Sequence, residues 1–149
     1  PEKREELTTE GGLDLTALEF KLTPAIERLK ENDIKVSLFI EPSPEAVDNA
    51  LEFGADMIEI HTGKYGLVRN SEEIIFELER IRQTARIAKE LGIGVNAGHG
   101  LNYNNITAIA NIEDIDEVSI GHSIISRAMF TGLDTAVRDM LKIIRRVRP

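Results

Sequence analysis

The sequence predicts an α/β chain, the C-terminal half or more of a parallel (β/α)8 TIM barrel, and three observations predict it. Short apolar runs alternate with longer segments of helical period. Two of the helical segments are closed by glycine, at Gly54 and Gly92. All three histidines of the chain stand where an apolar run ends, and strand C-termini are where parallel βα folds place their chemistry.

Residues 13–31 carry Leu15, Leu18, Leu22, Ile26 and Leu29 three or four apart, the spacing of a helix. Pro24 lies inside, so a kink or a break into two helices is expected there. Residues 34–40 form a short apolar run typical of a buried parallel strand. Ser43 as N-cap and Pro44 at the first helical position then open a helix that Gly54 stops. The unit repeats with a strand over 56–61 and a loop over 62–66. A long helix opened by Ser71-Glu72-Glu73 follows, with Ile74, Ile75, Leu78, Ile81, Ala85 and Ala88 on one face. Strand 93–97 leads into Gly98-His99-Gly100 and a short helix over about 105–111. Strand 118–120 leads into Gly121-His122-Ser123, a short helix near 124–131 and a terminal helix from 134 to about 147.

Strands separated by helices imply right-handed crossovers and a parallel sheet. No Pro/Gly/Ser-rich linker interrupts the chain, so residues 1–149 read as a single domain. Four strands are legible and a closed barrel needs eight; an open doubly wound sheet of four or five strands fits the same alternation. Four isolated strands would leave apolar edges unpaired. Pro1 to Glu6 reads as the end of something, with no strand before the first helix. The chain is therefore expected to be part of a barrel whose N-terminal strands are absent.

Composition narrows the function classes. Hydrophobic residues at 42% and charged residues at 30% suit a globular core with a polar surface. Without cysteine, neither disulfides nor thiolate metal sites can form. The net charge of −8 argues against nucleic-acid binding. Lys142, Arg145, Arg146 and Arg148 are the exception, and cations in the last turns of a helix complement its dipole. No apolar run is long enough to cross a membrane. Pro1-Glu2-Lys3-Arg4 precedes no apolar segment, so no signal peptide is expected.

The candidate site follows from asking what stands after each strand. His99 lies between two glycines that permit close backbone approach, and an imidazole exchanges protons near neutral pH. Gly121-His122-Ser123 runs into a helix whose first N–H groups have no intrahelical acceptor and suit an anion. Barrels commonly hold a phosphate there, between their last two loops. Alternation puts Met57, Glu59 and His61 on one face, the lumen of a barrel. A carboxylate there is either salt-bridged or functional. The histidines lack metal-ligand spacing, so no metal is expected. Thr8-Thr9-Glu10-Gly11-Gly12 reads equally as a phosphate or sugar loop and as a helix N-cap. Neither Lys35 nor Lys64 is well placed for Schiff-base chemistry of the aldolase kind.

Taken together, Pro1-Glu2-Lys3-Arg4, Thr8–Asp14, Val36–Ile40, Glu59–Gly63, Val95–Leu101 and Ile120-Gly121-His122 resemble the pyridoxine 5′-phosphate synthase family, in order and along essentially the whole chain. The resemblance implies a (β/α)8 transferase of vitamin B6 biosynthesis. Such an enzyme condenses 1-deoxy-D-xylulose 5-phosphate with 3-amino-2-oxopropyl phosphate to pyridoxine 5′-phosphate, phosphate and water. By the same resemblance His99 is the general acid and Glu59 the transition-state stabiliser. Gly100, Gly121 and His122 hold the amino-ketone phosphate, and Thr8 contacts the deoxyxylulose phosphate. The resemblance also implies a cytoplasmic homo-octamer that needs no cofactor. The family's Asn-Ile-Asp-His segment, second catalytic His, catalytic Glu and substrate-binding arginines have no counterpart here, so the segment alone is expected to be inactive. Another phosphate-binding barrel isomerase or aldolase, or a non-catalytic half-barrel, are the competing readings.

Overall fold

The computed structural model describes residues 11–148, with the side chains of all but 16–21. Helix α1 (Leu15–Lys30) runs through Pro24 without the expected break. Proline removes one i→i−4 hydrogen bond, and Leu15 and Ile26, both buried, hold the helix against the core on either side of it. Strand β1 (Ser37–Ile40) is shorter than its apolar run. Asp33 at φ 56° turns the chain, and Ile34 is left half exposed before the ladder begins.

Helix α2 (Pro44–Glu52) starts as expected: the Ser43 hydroxyl accepts from the Ala46 N–H, with proline at the first position. Gly54 at φ 76° ends it in a left-handed turn. Strand β2 (Met57–His61) keeps the predicted alternation, with Ile58 and Ile60 fully buried and the other three half-buried. The next residues, expected as a loop, form a short helix α3 (Gly63–Leu67). Helix α4 (Ser71–Glu90) opens at Ser71 as expected, and Asn70 caps it by accepting from the Glu72 N–H. Ile81, Ala85 and Ala88 are buried, but Ile75 is 66% exposed. It stands 100° round the helix from Ile74, outside the packed stripe. Glu77, on the other side of the helix, is buried instead at 2% exposure and is held by Lys64 at 2.5 Å and Arg80 at 2.8 Å.

The second half comprises β3 (Gly94–Gly98), α5 (Ile106–Ala110), β4 (Glu117–Ser119), α6 (His122–Thr131) and α7 (Leu133–Val147). The four strands are parallel and lie in chain order, β1-β2-β3-β4. A doubly wound sheet reverses its order at a switch point and is covered by helices on both faces. Here the order does not reverse, and burial falls on one face. Leu38, Ile40, Ile58, Ile60, Val95 and Ala97 are 0–5% exposed, while their alternating neighbours are not buried, except Gly98 at the strand end. This is the geometry of part of a (β/α)8 barrel, with helices outside and a polar inner face.

One device recurs. Asp56, just before β2, accepts from the Val36 N–H, and Asp116, just before β4, accepts from the Val95 N–H. Each carboxylate ties the entry of its own strand to that of the neighbouring one.

Candidate active site

The inner face ends at the strand C-termini in a polar cluster. Strand β1 is followed by Glu41, β2 ends in His61, β3 is followed by His99, and β4 by Gly121 and His122. In-register pairing stacks Phe39, Glu59 and Asn96 across three strands, and Gly98 opposite Ser119. Glu59 accepts from the Ser119 hydroxyl at 3.0 Å. Gly98 is required beside it, since a Cβ there would lie 2.2 Å from Glu59 Oε1 and 2.9 Å from Ser119 Cβ.

His99 leaves β3 at φ 77°, a left-handed conformation that a non-glycine residue adopts at a cost. It is held there from β2. The buried Thr62 hydroxyl lies 2.8 Å from the Gly98 carbonyl and 2.6 Å from that of His99, and the Thr62 N–H donates to Gly98. Gly100 follows at φ 71°, packed against Gly63 and Gly66.

Three of the proposed residues share one cleft with the strained histidine. His99, Gly100, Gly121 and His122 line a cavity of ≈ 600 Å³ together with Asn102, Ser119 and Ser123. Among the described residues its lining holds no lysine or arginine. Gly121 is the N-cap of α6 and His122 its first residue, so the N–H groups of the first turn lie at the cleft. Ser123 steadies that turn by donating to the Leu101 carbonyl at 2.9 Å. Glu59 reaches the same wall through Ser119. Thr8 lies outside the described residues.

Two further groups were not singled out from the sequence. Glu41 Oε1 lies 2.6 Å from His61 Nδ1, and the Gly12 N–H donates to the same oxygen at 2.9 Å. The hydrogen bond from His61 is the main cause that holds the Glu41 carboxyl below its ordinary range, against burial that raises it. No sequence signal marks the pair: Glu41 comes beside His61 only once the β1–β2 register, continued by one residue, is known. Asn96 is the other, with its buried Oδ1 unpaired among the described residues. The aldolase reading gains no support, because Lys64 is engaged by Glu77 and lines no part of the cleft.

The family model described as "Pyridoxal phosphate biosynthesis protein PdxJ" matches residues 1–146. The chain belongs to the PdxJ family. Among similar PdxJ-type proteins, pyridoxine 5′-phosphate synthase of Chlorobium phaeobacteroides (strain DSM 266) is 54% identical over 97% of the chain. That of Geobacter sp. (strain M21) is 52% identical over the same share. The chain spans 61% of the length of either relative. Two solved structures share the fold alone. The Amycolatopsis orientalis BexX/CysO complex matches with a TM-score of 0.54 at 12% identity, covering 95% of this chain and 55% of that one. GMP reductase from Trypanosoma brucei matches with a TM-score of 0.52 at 19% identity, covering 83% and 35%.

Proposed function

We propose that the chain is the C-terminal part of a pyridoxine 5′-phosphate synthase, a transferase whose cleft binds 3-amino-2-oxopropyl phosphate beside 1-deoxy-D-xylulose 5-phosphate. The observation that carries this reading is one cleft holding a strained histidine between glycines and the open N-terminus of α6. PdxJ membership supports this choice of phosphorylated substrates. Gly100, Gly121 and His122 hold the amino-ketone phosphate by backbone N–H groups and an imidazole. Thr8 contacts the second phosphate.

The amino group condenses with the deoxyxylulose carbonyl and releases water. Phosphate elimination, addition of one water, aldol-type ring closure and loss of two waters follow. Each step moves a proton, which suits a histidine and a carboxylate and calls for no cofactor. His99 donates the proton to leaving oxygens. Glu59, held by Ser119, faces positive charge that develops on the condensed nitrogen.

The chain covers 61% of its relatives' length, and among the described residues its cleft carries no lysine or arginine. Residues 1–149 therefore act as one unit of a larger barrel, and by themselves make no pyridoxine 5′-phosphate. The remaining share supplies the second catalytic histidine, a catalytic glutamate and the substrate-binding arginines. The complete protein works in the cytoplasm as a homo-octamer. The test is product formation by the complete protein supplied with both substrates, native against His99→Asn. Product from the native protein and a loss of turnover in the variant support the reading. Undiminished turnover in the variant removes His99 from the acid role, and no product from the native protein ends the proposal.

A further inference from the structure

Beneath His99 lies a second imidazole. His61 is mostly buried at the end of β2, its ring centroid 5.1 Å from that of His99 and tilted 58° to it. Phe39 closes the opposite side, edge-on at 5.1 Å. Gly63 makes the contact possible, because a Cβ there would lie 2.4 Å from His61 Nε2 and 2.8 Å from His99 Cδ2. The same stretch of chain, through Thr62, grips the backbone of the His99 loop.

The His61 ring is not free to turn. Glu41 Oε1 meets Nδ1 at 2.6 Å and is itself fixed by the Gly12 N–H. Arg80 of α4 binds the neighbouring Pro42 carbonyl and adds positive charge near Glu41. With Glu41 ionised, Nδ1 carries the proton and donates it to the carboxylate. Nε2 is then left to accept a proton or hydrogen bond. It is buried without a partner among the described residues, against Gly63 and His99. A buried polar atom without a partner is uncommon in a structural role. A carboxylate that fixes one imidazole nitrogen sets the tautomer and orientation of the other.

We propose that Glu41 and His61 are a positioning pair for His99: the carboxylate locks the His61 ring, and that ring orients the His99 imidazole and tunes its hold on a proton. The inference rests on the acid role proposed for His99. The groups that set the charge of His61 are Glu41, with Arg80 behind it, Glu59 on the same face of β2, and His99. Neither Glu41 nor His61 needs to touch substrate.

The experiment is a histidine NMR titration of the complete protein, with the His99 signal assigned from its loss in His99→Asn. His61→Gln should move the His99 titration midpoint, and with it the acidic limb of the kcat profile, while KM changes little. Glu41→Gln removes the anion at an exposed carboxylate and covers the case in which His61→Gln does not fold. It should abolish the slowly exchanging His61 Nδ1–H signal and move the His61 midpoint down. An unchanged His99 midpoint and pH profile in the variant that folds would overturn the pair. The acid reading fails separately, through full turnover in His99→Asn, which leaves the NMR coupling in place.

Discussion

Two glycines of the site have opposite tolerances. Gly98 is walled by Glu59 and Ser119, whereas a Cβ on Gly121 meets nothing within 4 Å and its φ is negative. Gly98→Ala should therefore displace Glu59 and lower stability by roughly 1–3 kcal/mol, the usual cost of overpacking. Gly121→Ala should leave the urea midpoint within about 0.5 kcal/mol of native, as for open surface positions. Equal midpoints for the two variants would contradict the placement of Glu59. At this scale much was legible in the sequence. His99 and Glu59 could be read because glycine flanks and strand alternation are local. The Glu41–His61 contact and the Ser119–Glu59 hydrogen bond are not local. They depend on which strands are neighbours and in what register, which no single segment encodes.

At the scale of elements, the strand entries are tied by carboxylates. Asp56 is held below its ordinary value of 3.8 chiefly by the Val36 N–H. Asp116 is held below the same value chiefly by Lys89, then by the Val95 N–H. A depressed folded pKa contributes stability above the unfolded value, and the contribution is lost as pH falls through the folded one. Stability should fall as pH drops below about 4, the unfolded Asp range. Asp56→Asn and Asp116→Asn should each flatten that loss, read from urea midpoints across pH 2–6 as a roughly chosen window. An acid limb of native steepness in both variants would refute the assignment. Glu77 binds α3 and α4 from inside the core. Glu77→Ala should cost about 1–3 kcal/mol, since a buried acceptor is lost while its cations remain partly solvated. An unchanged midpoint would mean that α3 is held by other contacts.

The helices followed their caps: Ser43, Pro44, Gly54 and Gly92 mark ends that the structure keeps. Where expectation failed, packing decided. Ile75 is apolar but off the buried stripe, and Glu77 enters the core only because two cations from separate positions meet it. The helix α3 was hidden by its two glycines, which read as a loop; they are present because Gly63 and Gly66 press against the histidines and Gly100.

Across the whole molecule, a parallel sheet in chain order with one buried face distinguishes a barrel segment from an open sheet. The net charge of −8 gives the chain no basic surface overall, and the described lining of the cleft is likewise free of lysine and arginine. No described helix is long and apolar enough to cross a membrane. The central claim is that the cleft between His99 and the start of α6 holds the phosphorylated amino ketone. Amide NMR of the complete protein, titrated with 3-amino-2-oxopropyl phosphate, tests it most directly. The account predicts saturable shifts at Gly100, Gly121 and His122 that persist in His99→Asn. Saturable binding that leaves these three amides unmoved would contradict it.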